Sequence, residues 1–501
     1  FGDGVVMRVD ISSIFSQMDV LAFEATVTAV QERLRRLYRA AIANACDGPG
    51  GKRAKFINLD MEEYRDLHLT AEAFQRTLDE AEFHKLEAGI VLQAYLPDAY
   101  PVQQALTAWA KDRVAAGRAP IKIRLVKGAN LAMEQVEASL HGWEQAPYES
   151  KLEVDANFKR MVHYALQPEH AAVARVGIAS HNLFDVAYAL LLRDHHGVKN
   201  QVEIEMLEGM ANHQALAVKE AAGDLLLYAP IVQRADFHSA IAYLIRRLDE
   251  NTSDENFLRD LFGLAPGTAA WETQKQRFLK ACQERDRVAS SPNRTQDRST
   301  PDGRKPLCGP DDAFDNEPDT DWTSAANRKW IQEWLRARRE AAPDHVPVVV
   351  AGEVVATAQT ANGADPSKPK TIPYTHALAD EATVERALEV AKAAAKNWAA
   401  RSVAERRALL CNVAAEIARQ RGEAIATMVM DGGKAIPEGD AEVSEAIDFA
   451  NYYARAFDDA EILADVQAMP IGTVVVTPPW NFPYAIPCGS VLAALMAGNT
   501  V

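Results

Sequence analysis

The residues with the most evident chemistry lie on one short stretch, Tyr243-Leu244-Ile245-Arg246-Arg247-Leu248-Asp249-Glu250. At about 3.6 residues per helical turn, Tyr243, Arg246, Arg247 and Glu250 share one flank. Two neighbouring guanidinium groups clamp a carboxylate with a fork geometry that lysine cannot supply. Glu250, three and four residues on, would hold the pair in place. Taken alone, an Arg-Arg pair on a helix is usually a solvated face. A second set shifts that balance: Asp60, Gln93 with Tyr95, Arg124 with Lys127, His181 with Asn182, Glu208 with Met210, and Tyr228 with Pro230. Each set ends a short apolar run. Such a polar ring, with both signs of charge, suits a flat polar cofactor and a small zwitterion.

The elements that must position these residues are read from periodicity. Strand-like runs occur at Val5–Ile14, Lys55–Asp60, Gly89–Tyr95, Ile121–Lys127, Arg175–Ser180, Val202–Leu207 and Leu225–Pro230, separated by amphipathic stretches such as Phe23–Ala45, Val102–Ala116 and Leu183–Arg193. Strand and helix alternating without hairpin turns imply parallel strands with crossover helices. The absence of a G-x-G-x-x-G loop favours an α/β fold of the (β/α)8 TIM-like type over a doubly wound sheet, and places the chemistry at the C-terminal strand ends. Seven strands are one short of closure, so the barrel is expected to be incomplete at its N-terminus. The chain opens on Phe1 and stops in an apolar segment at Gly498-Asn499-Thr500-Val501, and both ends read as cut.

The domains are expected at 1–262 (barrel), 263–345 (helical and irregular connector, with a helix at Ala325–Ala341) and 346–501. The last opens with a hairpin arm, Val346–Ala356. Long helices follow at Glu381–Ala399, Ala404–Gln420 and about Asp440–Phe457, and then a strand, Gly472–Pro478. The net charge of −16 argues against a nucleic-acid partner. The five cysteines form no Cys-x-x-Cys pair, which predicts free thiols in a reducing cytoplasm and no metal site. No signal peptide and no apolar run of about 18 residues is present. The expected location is the cytoplasm, with peripheral attachment at the inner face of the cell membrane left open.

The succession KFINLDMEEY, GIVLQAYLPD, IKIRLVKGAN, GIASHN, LEGMAN, LLYAP, YLIRRLDENT resembles the proline dehydrogenase domain of the bifunctional proline utilization A family, and looks closest to its actinobacterial-type members. The resemblance implies FAD-dependent oxidation of L-proline to pyrroline-5-carboxylate. It places Arg246 and Arg247 on the substrate carboxylate, with Tyr243 and Glu250 completing that wall and Asp60 on the substrate side. Gln93, Arg124 and Lys127 would contact FAD, Arg124 near the reactive nitrogen, with His181 and Asn182 on the cofactor rim. Electrons would pass to a quinone at the membrane, and a homo-oligomer is left open. One departure stands out: where the family carries a lysine in Val-x-Lys-Ile/Leu-Ser, this chain has Asp10, with Arg8 two residues earlier on the same side. A non-catalytic or regulatory barrel with a weakened substrate site is therefore the alternative reading.

In the second half, Pro479-Trp480-Asn481-Phe482-Pro483 resembles the active-site loop of the aldehyde dehydrogenase superfamily, as do Asn397-Trp398-Ala399 and Asp448-Phe449. The resemblance implies NAD-dependent oxidation of glutamate semialdehyde in the full-length protein. Asn481 would donate to the oxyanion hole, and Trp480 would line the cofactor side. The module's nucleophilic cysteine, glutamate and most of its NAD site are expected beyond this chain. Cys488 reads as packing in an apolar helix.

Overall fold

Period-two alternation within parallel strands decides which residues face the helices and which face inward. The computed structural model describes residues 6–48, 51–229, 232–238, 240–242, 245, 256–260, 263–300, 313–457 and 466–501. Two compact units result, Phe1–Ser139 with Glu144–Arg294, and Leu140–Trp143 with Thr295–Val501.

In the first unit the strands are β1 (Val6–Asp10), a small hairpin of β2 (Cys46–Gly48) and β3 (Gly51–Arg53), β4 (Phe56–Asp60), β5 (Gly89–Gln93), β6 (Ile121–Val126), β7 (Ala174–Ala179), β8 (Val202–Leu207) and β9 (Leu226–Tyr228). Seven of them form one sheet in the order β1-β4-β5-β6-β7-β8-β9, every pair parallel. This is the incomplete (β/α) barrel that the alternation predicts. Among the described residues no strand joins β9 back to β1.

One parity along the strands is apolar and buried: Ile57 and Leu59, Ile90 and Leu92, Ile123 and Leu125, Val176 and Ile178, Ile204 and Met206. These residues belong to one core with the surrounding helices. The helix Phe23–Ala43 contributes Val27, Val30, Leu34, Tyr38 and Ala41, a stripe at helical spacing. The opposite parity carries Arg8, Asn58, Asp60, Gln93, Lys122, Arg124, Glu203 and Glu205, so the sheet's inner side is polar and ionic.

β1 is shorter than expected. After Asp10 the chain turns into a helical segment, Ile11–Ile14, where the Ser13 hydroxyl donates to the Asp10 carbonyl at 2.5 Å. Serine competing for local backbone groups ends the strand there. Within the stretch 263–294 a helix runs from Ala269 to Glu284, and its Trp271 and Phe278 rings lie 4.9 and 5.7 Å from Phe184.

The second unit contains the hairpin β11 (Val348–Val350) with β12 (Glu353–Val355), and a three-stranded sheet in which β14 (Tyr374–Leu378) lies between β10 (Asp344–Val346) and β13 (Gln359–Asn362). Its helices are Ala325–Glu340, Glu381–Ala399, Val403–Arg419, Arg421–Gly432, Ile436–Ala454 and Ala485–Met496. The expected strand Gly472–Pro478 is a single bridge, Thr473 to Thr500, because only that one residue runs alongside it. The irregular segment before Ala325 is anchored by polar contacts: Thr320 donates through its amide (2.6 Å) and hydroxyl (2.7 Å) to Asp440, which also pairs with the buried Arg421 at 2.6 Å. Cys46, Cys282 and Cys488 are free, as expected, whereas Cys411 is disulfide-bonded, which corrects the expectation of free thiols throughout.

Candidate active site

Three inward-facing groups occupy the strand ends of the barrel. On β1 and β4, Arg8 Nε lies 2.8 Å from Asp60 Oδ2, a largely buried ion pair. On β6 and β8, Arg124 donates through Nε to Glu205 Oε2 at 2.7 Å, and Lys122 Nζ lies 2.5 Å from Glu205 Oε1 while also pairing with Glu203. Between these clusters stands Tyr228 of β9, its ring centre 5.8 Å from the Arg8 guanidinium carbon and 5.0 Å from that of Arg124. A cation over each ring approach suits the aromatic quadrupole. Burial pushes the Tyr228 phenol far above its ordinary value, so it stays protonated. Burial works to raise the Glu205 carboxyl, but Lys122 and Arg124 outweigh it and hold the group below the usual carboxylate range.

Gln93, at the end of β5, donates its amide to the carbonyls of Met61 (3.1 Å) and Glu62 (3.3 Å), which ties it to the loop after β4. The Tyr95 hydroxyl reaches the same Glu62 carbonyl at 3.3 Å. Lys127 is held by acids from two helices: it pairs with Asp155 of Lys151–Ala165 and lies 2.7 Å from Asp185 of Leu183–His195. Burial opposes its charge, yet these two carboxylates raise its affinity for the proton, and both acids are correspondingly lowered.

His181 follows β7. Its Nε2 accepts from the Leu207 amide at 3.1 Å, which assigns the proton to Nδ1. Nδ1 is buried and has no hydrogen-bond partner among the described residues. Burial lowers the ring's proton affinity, so His181 is neutral at pH 7 and offers one N–H. Asn182 caps the helix Leu183–His195, its Oδ1 accepting from the Phe184 amide at 3.0 Å. Tyr243, Arg246, Arg247 and Glu250, the expected substrate clamp, lie outside the described residues.

Asp60, Gln93, Arg124 and His181 therefore stand at successive strand ends. A buried donor without a partner among the described residues (His181 Nδ1), a guanidinium bonded to them only through Nε, and a glutamine whose amide nitrogen is fixed on two carbonyls and whose Oε1 is left to accept are a mixed donor and acceptor set that fits the polar edge of a flavin. The residues that sequence reasoning did not select are Glu205, Lys122, Asp155 and Asp185. For the first two a signal existed: charges at alternate positions inside apolar strands, IKIRLV against VEIEML, with opposite signs.

In the second unit Asn481 and Trp480 lie in an exposed turn, Trp480 being 88% exposed. The helix after that turn is fastened by the buried Glu442, which accepts from the amides of Tyr484 (2.7 Å) and Ala485 (3.1 Å) and pairs with Lys434. Lys434 in turn lies 4.5 Å from the centre of the Phe482 ring. Burial pushes the Cys488 thiol up to about 11, so at neutral pH it is no thiolate nucleophile.

Residues 4–260, more than half of the chain, match the proline dehydrogenase family. The chain belongs to the proline dehydrogenase family. Residues 354–501 match the aldehyde dehydrogenase family, and proline dehydrogenase followed by aldehyde dehydrogenase is the order of a bifunctional oxidoreductase of the proline utilization A type. The bifunctional protein PutA of Escherichia coli is 30% identical over 466 residues, which cover 89% of this chain and 33% of the relative. Among solved structures, proline utilization A from Corynebacterium freiburgense is 39% identical, with a TM-score of 0.75, over 98% of this chain and 43% of that one. The Bdellovibrio bacteriovorus structure, of an enzyme inactivated by N-propargylglycine, is 30% identical with a TM-score of 0.84, over 99% and 49%. The chain thus spans a third of the curated bifunctional relative and less than half of these solved ones. Among the described residues no helix is long and apolar enough to cross a membrane.

Proposed function

We propose that the barrel oxidises L-proline to pyrroline-5-carboxylate with FAD as the acceptor. The observation that carries this is the convergence of Asp60, Gln93, Arg124 and His181 at successive strand ends within the segment that matches the family. When bound, FAD supplies a hydride acceptor, which no side chain can provide. The chain's own residues have the remaining tasks. Arg124 places a fixed cation where negative charge develops, and the neutral His181 and Gln93 hold the cofactor's polar edge, with Lys127 and Asn182 on its rim. Asp60, steadied by Arg8, lines the substrate side, while Arg246 and Arg247 would bind the proline carboxylate, with Tyr243 and Glu250 completing that wall, and so orient the substrate. In the whole protein the product, opened by water to glutamate semialdehyde, would pass to the aldehyde dehydrogenase module for oxidation with NAD. There Asn481 donates to the oxyanion hole and Trp480 lines the cofactor side. A quinone at the inner face of the cell membrane would be the final electron acceptor, and the protein would work from the cytoplasm as a homo-oligomer.

Anaerobic addition of L-proline to the purified, FAD-loaded protein tests this reading: the flavin absorbance is expected to bleach. A protein that stays colourless with added FAD would overturn it. One observation favours a second reading, a regulatory barrel. Asp10 pairs in register with Asp60, which sets two acids side by side where the family has a lysine. An acid there repels a carboxylate. Tetrahydrofuroic acid, a proline analogue, discriminates the two, because a dead site does not bind it.

A further inference from the structure

We propose that Glu205 is the positioning residue for Arg124, fixing its guanidinium from inside the barrel and setting the charge felt on the flavin side of the pocket. This rests on the flavin reading above. Glu205 has no solvent exposure, and a buried carboxylate without compensating partners is costly. Lys122, 2.5 Å from Glu205 Oε1, offsets part of that cost, but it shares its charge with Glu203. Arg124, by contrast, has Glu205 as its only carboxylate partner among the described residues.

The register makes the contact specific. Arg124 of β6 pairs with Gly177 of β7, and Gly177 pairs with Glu203 of β8, so Glu205 starts two residues farther along and two strands away. Its side chain crosses the intervening strand through the space left by Gly177. A Cβ there would lie 2.1 Å from Glu205 Oε1 and 2.8 Å from Lys122 Cε. Because the carboxylate takes the Arg124 Nε–H, the guanidinium plane is set, and the two terminal nitrogens make no hydrogen bond to a described residue. A fork held from behind in this way presents a fixed pair of donors to a ligand in front of it. Lys122, Arg124 and Glu205 together carry one net positive charge.

The test uses the full chain loaded with FAD. Glu205→Gln keeps an oxygen acceptor for Nε and removes one negative charge, so the flavin midpoint potential is expected to shift upward with FAD content unchanged. A Lys122→Met/Glu205→Gln double variant removes one charge of each sign and should return the potential to the parental value. In the same Lys122→Met background, Glu205→Leu takes away the acceptor, and kcat on proline should fall about tenfold where Glu205→Gln retains it. A Glu205→Gln protein that is bleached by proline at the parental potential would overturn the inference and leave the proposed function standing. Equal kcat for the Gln and Leu variants would do the same. A parental protein that takes up no FAD would overturn both.

Discussion

Arg8 and Asp60 join the first two strands of the sheet across the strand ends, Nε to Oδ2 at 2.8 Å, although in register Arg8 faces Asn58 and Asp60 faces Asp10. The arginine reaches forward along the sheet to the next acid. It thereby supplies a cation on the strand where Asp10 stands in place of the family's lysine. Removing that cation leaves a largely buried carboxylate uncompensated. We expect Arg8→Met to lower stability by about 1–3 kcal/mol, the arginine being partly exposed, and to weaken proline binding. Urea denaturation and the KM for proline check the two effects separately.

Asp66, at the start of the helix Asp66–Leu78, is pushed up to about 7, first by burial and then by the neighbouring Glu63. A carboxyl raised in the folded state contributes stability that is complete below its ordinary value near 3.8 and is lost as pH rises through about 7. Asp155 and Asp185 have the opposite sign: their contribution is present above the ordinary value and is lost only in acid. Between pH 4 and 8 the barrel's unfolding free energy should therefore decline by about 1–3 kcal/mol. Asp66→Asn should flatten that decline, as read from denaturant midpoints at pH 5 and pH 8.

Glu442 accepts two amides at the start of the helix Ala485–Met496 and pairs with Lys434. Glu442→Ala strands these donors and a partly buried ammonium, at a cost of about 2–4 kcal/mol to the second unit. The turn that carries Trp480 and Asn481 should become more accessible to protease, and limited proteolysis with mass spectrometry would locate the cut. An unchanged cleavage pattern would argue against this anchoring role.

Cys488, with its thiol pushed up to about 11, is expected to resist iodoacetamide at pH 7.5. Cys488→Ala should cost about 1 kcal/mol through lost packing and leave flavin bleaching by proline unchanged. Rapid alkylation at neutral pH would contradict the packing role.

The barrel was readable because its signal is local. A strand buried under helices needs apolar residues at alternate positions, and β4 to β8 all supply them. The strand-end ring of Asp60, Gln93, Arg124 and His181 followed from the same alternation. The partners of that ring did not. Glu205 reaches Arg124 only because Gly177 leaves a gap on the strand between them, and that depends on a register no local pattern specifies. Lys127 is likewise held by Asp155 and Asp185 from two separate helices, a meeting that exists only in three dimensions. The strand read at Gly472–Pro478 shows the converse: an extended apolar sequence becomes a strand only where a neighbouring chain runs beside it.

The ionic interior of the sheet has a thermal consequence. Bulk salt scarcely screens charges sealed from water, so Lys122, Arg124 and Glu205 should hold together in concentrated salt as well as in dilute buffer. Heat acts differently, because the hydration these groups give up becomes less favourable as temperature rises. The middle of this barrel is thus relatively best suited to warm conditions, and an apolar packing of the same volume would hold no such advantage.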